Sequence, residues 1–132
     1  MRILLVEDME VTRNIYKNIL DTFGQVDIAC DGIEAMNMFV SSMNKNKIYD
    51  IVFLDVIMPK SSGFHVLERI RKYENLKRIE NKTKIIIISS LNSDKDIDAA
   101  IKLGADKVMV KPIDRKVIEN YFEEINLIKK ED

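Results

Sequence analysis

The residues of this 132-residue chain that could do chemistry stand where its apolar runs break off. Glu7 and Asp8 follow Ile3–Val6, Asp55 follows Ile51–Leu54, Ser89 and Ser90 follow Ile85–Ile88, and Lys111 follows Lys107–Val110. Taken alone, an Asp at the end of a strand can be a nucleophile, a metal ligand or the first polar residue of a loop. Brought together, three carboxylates within about 5 Å would repel by roughly 3 kcal/mol per pair at an effective dielectric near 20, so a cation belongs among them. Hard carboxylate oxygens with no His or Cys nearby suit Mg²⁺. A hydroxyl from Ser89 or Ser90 and the Lys111 ammonium complete what phosphoryl transfer to a carboxylate requires: a metal to offset charge, a nucleophilic Asp, and donors for the phosphoryl oxygens.

The elements that must position these groups are legible in the periodicity. Ile3–Val6, Val26–Ala29, Ile51–Asp55, Ile85–Ile88 and Lys107–Val110 read as five strands, and Pro59 bars any long continuation of the third. Val11, Ile15, Ile19 and Phe23 recur every four residues as a helical stripe that Gly24 would close. Asp31 and Glu34 have the spacing of a capping box ahead of a face made by Ala35, Met36, Phe39, Val40 and Met43. Phe64, Leu67, Ile70 and Tyr73 carry a third helix. Ser93 and Asp96 open a fourth, with Ile97, Ala100, Ile101 and Leu103 inward and Gly104 ending it. The fifth starts near Asp114, with Val117, Ile118, Tyr121, Phe122, Ile125 and Ile128 on its buried side. Strands that are almost continuously apolar are buried on both faces. The expected fold is therefore α/β: a doubly wound five-stranded parallel sheet in a three-layer sandwich. If the strand order is the doubly wound, flavodoxin-like 2-1-3-4-5, the switch point between strands 1 and 3 gathers Glu7, Asp8 and Asp55 in one crevice.

Composition narrows the class. The length fits one domain spanning residues 1–132, large enough for a self-supporting core. With 21 basic and 22 acidic side chains the net charge is −1, which argues against binding nucleic acid by a basic face. Cys30 is the single cysteine, so no internal disulfide forms and a reducing, cytoplasmic setting is expected. The apolar runs are too short for a signal peptide or a membrane span.

The motifs "LLVEDME", "IVFLDVIMPKSSG" and "VMVKPID" together resemble a two-component response regulator receiver domain of the single-domain chemotaxis type, over the whole chain. The resemblance implies that Asp55 is the phosphoacceptor and that Glu7, Asp8, Asp55 and the backbone carbonyl of Ile57 hold Mg²⁺. It selects Ser89, with Ser90 behind it, as the strand-4 hydroxyl. Lys111 becomes the phosphoryl-contacting lysine, joined to Pro112 by a cis bond, and Gly63 the glycine after the next turn. It implies a phosphoryl donor, a histidine kinase or histidine phosphotransfer protein, and a downstream protein target. Such a domain catalyses its own phosphorylation and slow dephosphorylation without a separate turnover substrate.

Rival readings turn on particular residues. A flavodoxin-like cofactor binder needs a Ser, Thr and Gly loop after strand 1, where Glu7 and Asp8 would instead repel phosphate. An aspartyl phosphohydrolase needs a second acid at position 57, which is Ile. A phosphorylation-independent interaction domain is the remaining alternative, disfavoured because every acid, donor and cation position is filled. His65 reads as a surface residue, Cys30 as a small packed side chain, and the charged residues 72–84 as a solvated face. Val108 stands where many receivers carry an aromatic ring, so any output signal is expected to run through the 89–91 loop and the fourth helix. Ile57 and Leu91, both apolar, are expected to flank the water route to a phosphorylated Asp55 and slow its hydrolysis.

Overall fold

The computed structural model describes residues 1–56, 58, 62–90 and 93–129. Pro59, the Lys60 and Ser61 part of the following loop, and the expectations attached to Ile57 and Leu91 lie outside them. The chain alternates β1 (Arg2–Val6), α1 (Glu10–Leu20), β2 (Gln25–Ala29), α2 (Gly32–Asn44), β3 (Ile51–Asp55), α3 (Gly63–Leu76), β4 (Lys84–Ser89), α4 (Asp94–Lys102), β5 (Lys107–Val110) and α5 (Arg115–Glu124). All strand pairs are parallel, in the order β2-β1-β3-β4-β5.

Strand alternation splits the core into two layers. Leu4, Val6, Val52, Leu54, Ile85 and Ile87 face a cluster shared with α2, α3 and α4. Ile3, Leu5, Ile51, Phe53, Ile86, Ile88 and Met109 face the other side, with Tyr16 and Leu20 of α1 and Ile118 and Phe122 of α5. Burial on both faces is why these strands lack a polar alternation. β2, at the sheet edge, is only half-buried.

Helix ends follow local chemistry. Asp31 accepts from Glu34 N at 2.8 Å, and Glu34 returns a carboxylate to Cys30 N at 3.2 Å, the reciprocal satisfaction that their spacing predicts. The side-chain oxygens of Ser62, Ser93 and Asp114 cap α3, α4 and α5 by accepting from Phe64 N, Asp96 N and Val117 N. Gly104, at φ +111°, donates to Ile101 O while Ala105 N donates to Ala100 O, a Schellman end as expected. Asn46, Arg78 and Asn126 end α2, α3 and α5 in the same left-handed conformation.

Several sequence expectations are corrected. α1 ends at Leu20 and Gly24 is not its cap; a Cβ there would lie 2.4 Å from Met1 O, so the glycine admits a close backbone approach. The α1 stripe holds only in part: Ile19 and Phe23 pack against the core beside the buried Tyr16 and Leu20, whereas Val11 and Ile15 are 71% and 53% exposed. Ile101 and Val117, expected inward, are exposed. Cys30 is exposed and not packed.

The charged stretch 72–84 is the largest departure from a solvated face. Glu74 is fully buried, pairs with Arg71 at 2.7 Å and accepts from Thr83 N at 2.8 Å. Arg71 also donates to Thr83 O, Gly104 O and Asp106 Oδ2, and Asp106 Oδ2 accepts from Ile85 N. One guanidinium thereby ties α3 to the start of β4 and to the α4–β5 turn.

Candidate functional site

Register places the chemistry. Val6 pairs with Leu54, so Glu7 and Asp55 emerge side by side from β1 and β3; Asp55 pairs with Ile88, and Ser89 with Val110, so Ser89 and Lys111 emerge beside them. Backbone bonds continue past the ladders, from Glu7 N to Ala29 O, Val56 N to Ile88 O and Lys111 N to Ser89 O, and hold the strand ends level. Gly63 N donates to Val56 O, and a Cβ on Gly63 would lie 2.3 Å from Asp55 O. Glycine is needed there because the start of α3 packs directly on the backbone of the candidate acceptor. The Lys111–Pro112 bond is cis.

One carboxylate oxygen each from Glu7, Asp8 and Asp55 lies within 4.8 Å of the others. Lys111 Nζ is 3.0 Å from Asp55 Oδ2 and 3.8 Å from Glu7 Oε2. Glu7 is fully buried, Asp55 and Ser89 nearly so. Arg13 reaches back from α1 to the carbonyls of Glu7 and Asp8 at 3.3 and 3.5 Å and steadies the turn between them.

Burial pushes the Glu7 carboxyl up to about 7, reinforced by its hydrogen bond to Asp55 and the Asp55 charge; Lys111 opposes the shift. Burial alone would lower the Lys111 ammonium, but the hydrogen bond to Asp55 and the charges of Asp55 and Glu7 prevail, and it is raised. Buried Tyr16 of α1 belongs to the same field: burial raises its phenol, Lys111 opposes, and the backbone of Ile113 contacts it. The sequence reading passed over Tyr16, because a tyrosine in a helix carries no spacing signal for a site formed by strand ends.

The donor set fits a hard divalent cation. Glu7 Oε2 and Asp8 Oδ1 are buried without a hydrogen-bond partner, an expensive state for carboxylate oxygens that a metal would relieve. Ile57, whose carbonyl the resemblance adds to the ligands, lies outside the described residues. His65 is exposed, as expected. Val108 packs against the cluster that includes Ala100 of α4. A cleft of about 850 Å³ lies at the opposite sheet end around Arg71 and Asp106, whose polar groups satisfy one another.

The family described as the response regulator receiver domain matches residues 3–123. The chain belongs to this family. A chemotaxis protein CheY of Treponema pallidum is 31% identical over 119 residues, covering 89% of this chain and 76% of that one. A probable histidine kinase 2 of Oryza sativa is 34% identical over 128 residues, covering 89% of this chain but 12% of the kinase. The chain spans about an eighth to under half the length of the first such relatives, including a probable transcriptional regulator of Guillardia theta at 42%. Among solved structures, a two-component response regulator of Clostridium difficile superposes with a TM-score of 0.81 at 20% identity over 99% of both chains. The chemotaxis protein CheY4 of Vibrio cholerae gives 0.77 at 23% over 94% and 97%. At those identities the structures bear on the fold alone.

Proposed function

We propose that residues 1–132 act as one receiver unit in which Asp55 accepts a phosphoryl group from a phosphohistidine on a histidine kinase or phosphotransfer protein. The reading rests above all on the meeting of Glu7, Asp8 and Asp55 with Lys111 3.0 Å from Asp55. An Asp55 oxygen attacks phosphorus as the donor imidazole leaves. Lys111 and the Ser89 hydroxyl, one residue beyond the Ile88 partner of Asp55, bind the phosphoryl oxygens. Glu7, Asp8 and Asp55, with the Ile57 carbonyl, would hold Mg²⁺, which when bound offsets the charge gathered on acceptor and phosphoryl group. Lys111 is charged throughout, since its neighbours raise it.

Hydrolysis of phospho-Asp55 by water is the second and slower reaction, so the domain has no separate turnover substrate. Output is a changed protein-binding surface read by a downstream protein in the cytosol, a setting in keeping with the exposed free thiol of Cys30. The test is intact mass after incubation with Mg²⁺ and a small acyl phosphate. Wild type is expected to gain one phosphoryl group and Asp55→Asn none; incorporation in Asp55→Asn, or none in wild type, would overturn the assignment.

A further inference from the structure

On the face of the sheet shared with α4, helices α2 and α3 flank a groove of about 790 Å³. Its apolar lining is Met36, Val40, Tyr73 and Leu76, and Leu76 is 74% exposed beside the other three, so the apolar surface is a patch and not a lone side chain. Its charged lining is Lys45, Arg69 and Lys72, with no acidic residue among the lining side chains. None of these three cations is in an ion pair among the described residues. A chain of net charge −1 has acids enough to neutralise them, yet this groove keeps three cations without ion pairs around the exposed Leu76 and the partly buried Met36, Val40 and Tyr73.

We propose that the α2–α3 groove docks an acidic amphipathic helix of a partner protein. Apolar residues of that helix, spaced three and four apart, would cover Met36, Val40 and Leu76, and its Asp and Glu residues would face Lys45, Arg69 and Lys72. A nucleic acid fits less well. Its bases want an open aromatic face, and the Tyr73 ring is already engaged, by Phe39 in a T-shaped contact at 6.2 Å between centroids and by Lys77 Nζ at 5.9 Å. Exposed charges of this kind set encounter rate and partner choice, and the apolar floor supplies the adhesion. None of the lining residues belongs to the strand ends that carry the acid cluster, so docking here is independent of the phosphorylation state. Such a surface would tether the receiver to its partner in both states and leave the phosphorylation-dependent readout to other faces.

The test uses the full chain, isotope-labelled, and two synthetic helical peptides with identical leucine positions, one carrying Glu and the other Lys at the remaining sites. Amide shifts on adding the Glu peptide are expected to concentrate at residues 36–45 and 69–76, with no such response to the Lys peptide. The double variant R69E/K72E should weaken binding at least tenfold, and Leu76→Ser should weaken it severalfold while leaving the spectrum folded. Wild type phosphorylated with Mg²⁺ and an acyl phosphate should bind as the unphosphorylated protein does. Equal response to both peptides, a response elsewhere, or no response would overturn the proposal. So would concentration-dependent shifts without peptide, which would assign the groove to a second copy, or the same shifts with a single-stranded oligonucleotide.

Discussion

Glu7 carries the sharpest conflict in the molecule, a fully buried carboxyl beside a second carboxylate and 3.8 Å from a lysine that is already bonded to that neighbour. Its ordinary value of 4.5 applies in the unfolded chain, whereas the folded group titrates at about 7. Between those values the folded state holds the extra proton. This contribution to stability is therefore full below pH of about 4.5 and is lost as pH rises toward 7, by at most about 3 kcal/mol. Urea titrations in chelator should show that slope, and Glu7→Gln should remove it. Stability of the wild type that is flat or rises from pH 4.5 to 7 relative to Glu7→Gln would contradict the assignment.

At the scale of elements, the guanidinium of Arg71 fastens α3, β4 and the α4–β5 turn through bonds of 2.7 to 2.9 Å. Removing it strands the fully buried Glu74 carboxylate with one backbone donor. Arg71→Ala should cost about 3 kcal/mol or more, measured by urea unfolding, and an Arg71→Met, Glu74→Leu double variant should recover most of that loss. If the double variant is as unstable as the single one, the cost lies in packing and not in the orphaned charge. The end of α3 offers the opposite change. Arg78 holds a left-handed φ of 56° that costs a side-chain-bearing residue more than glycine. Arg78→Gly should raise the unfolding free energy by about 0.5–1 kcal/mol, and a loss of stability would show that the Arg78 side chain makes a contact worth more than the strain.

Across the whole molecule, the repelling acids make folding and metal binding one equilibrium. A ligand that binds only the folded state adds about 2.7 kcal/mol at a hundredfold excess over its Kd. Thermal melts should therefore show a Tm rise with Mg²⁺. Asp8→Asn should melt higher than wild type in chelator and lose most of the Mg²⁺ shift; a variant less stable without metal that keeps the full shift would remove Asp8 from the site. The sequence by itself determined the five strands, the three-layer α/β fold and the residues at the strand ends. Burial on both sheet faces leaves uninterrupted apolar runs, and the first polar residue after each run must sit at the sheet's carboxyl edge. Only the tertiary structure decided which part of the α1 stripe is covered. Ile19 and Phe23 pack against the same cluster as Tyr16 and Leu20, whereas Val11 and Ile15, a turn or more earlier, stay exposed. Glu74 reads as one more surface acid, because its burial depends on Arg71, Thr83 and Asp106 arriving from other turns and elements. Register likewise brought Lys111 to 3.0 Å from Asp55, a distance that 56 positions of chain separation leave open until the strands are paired.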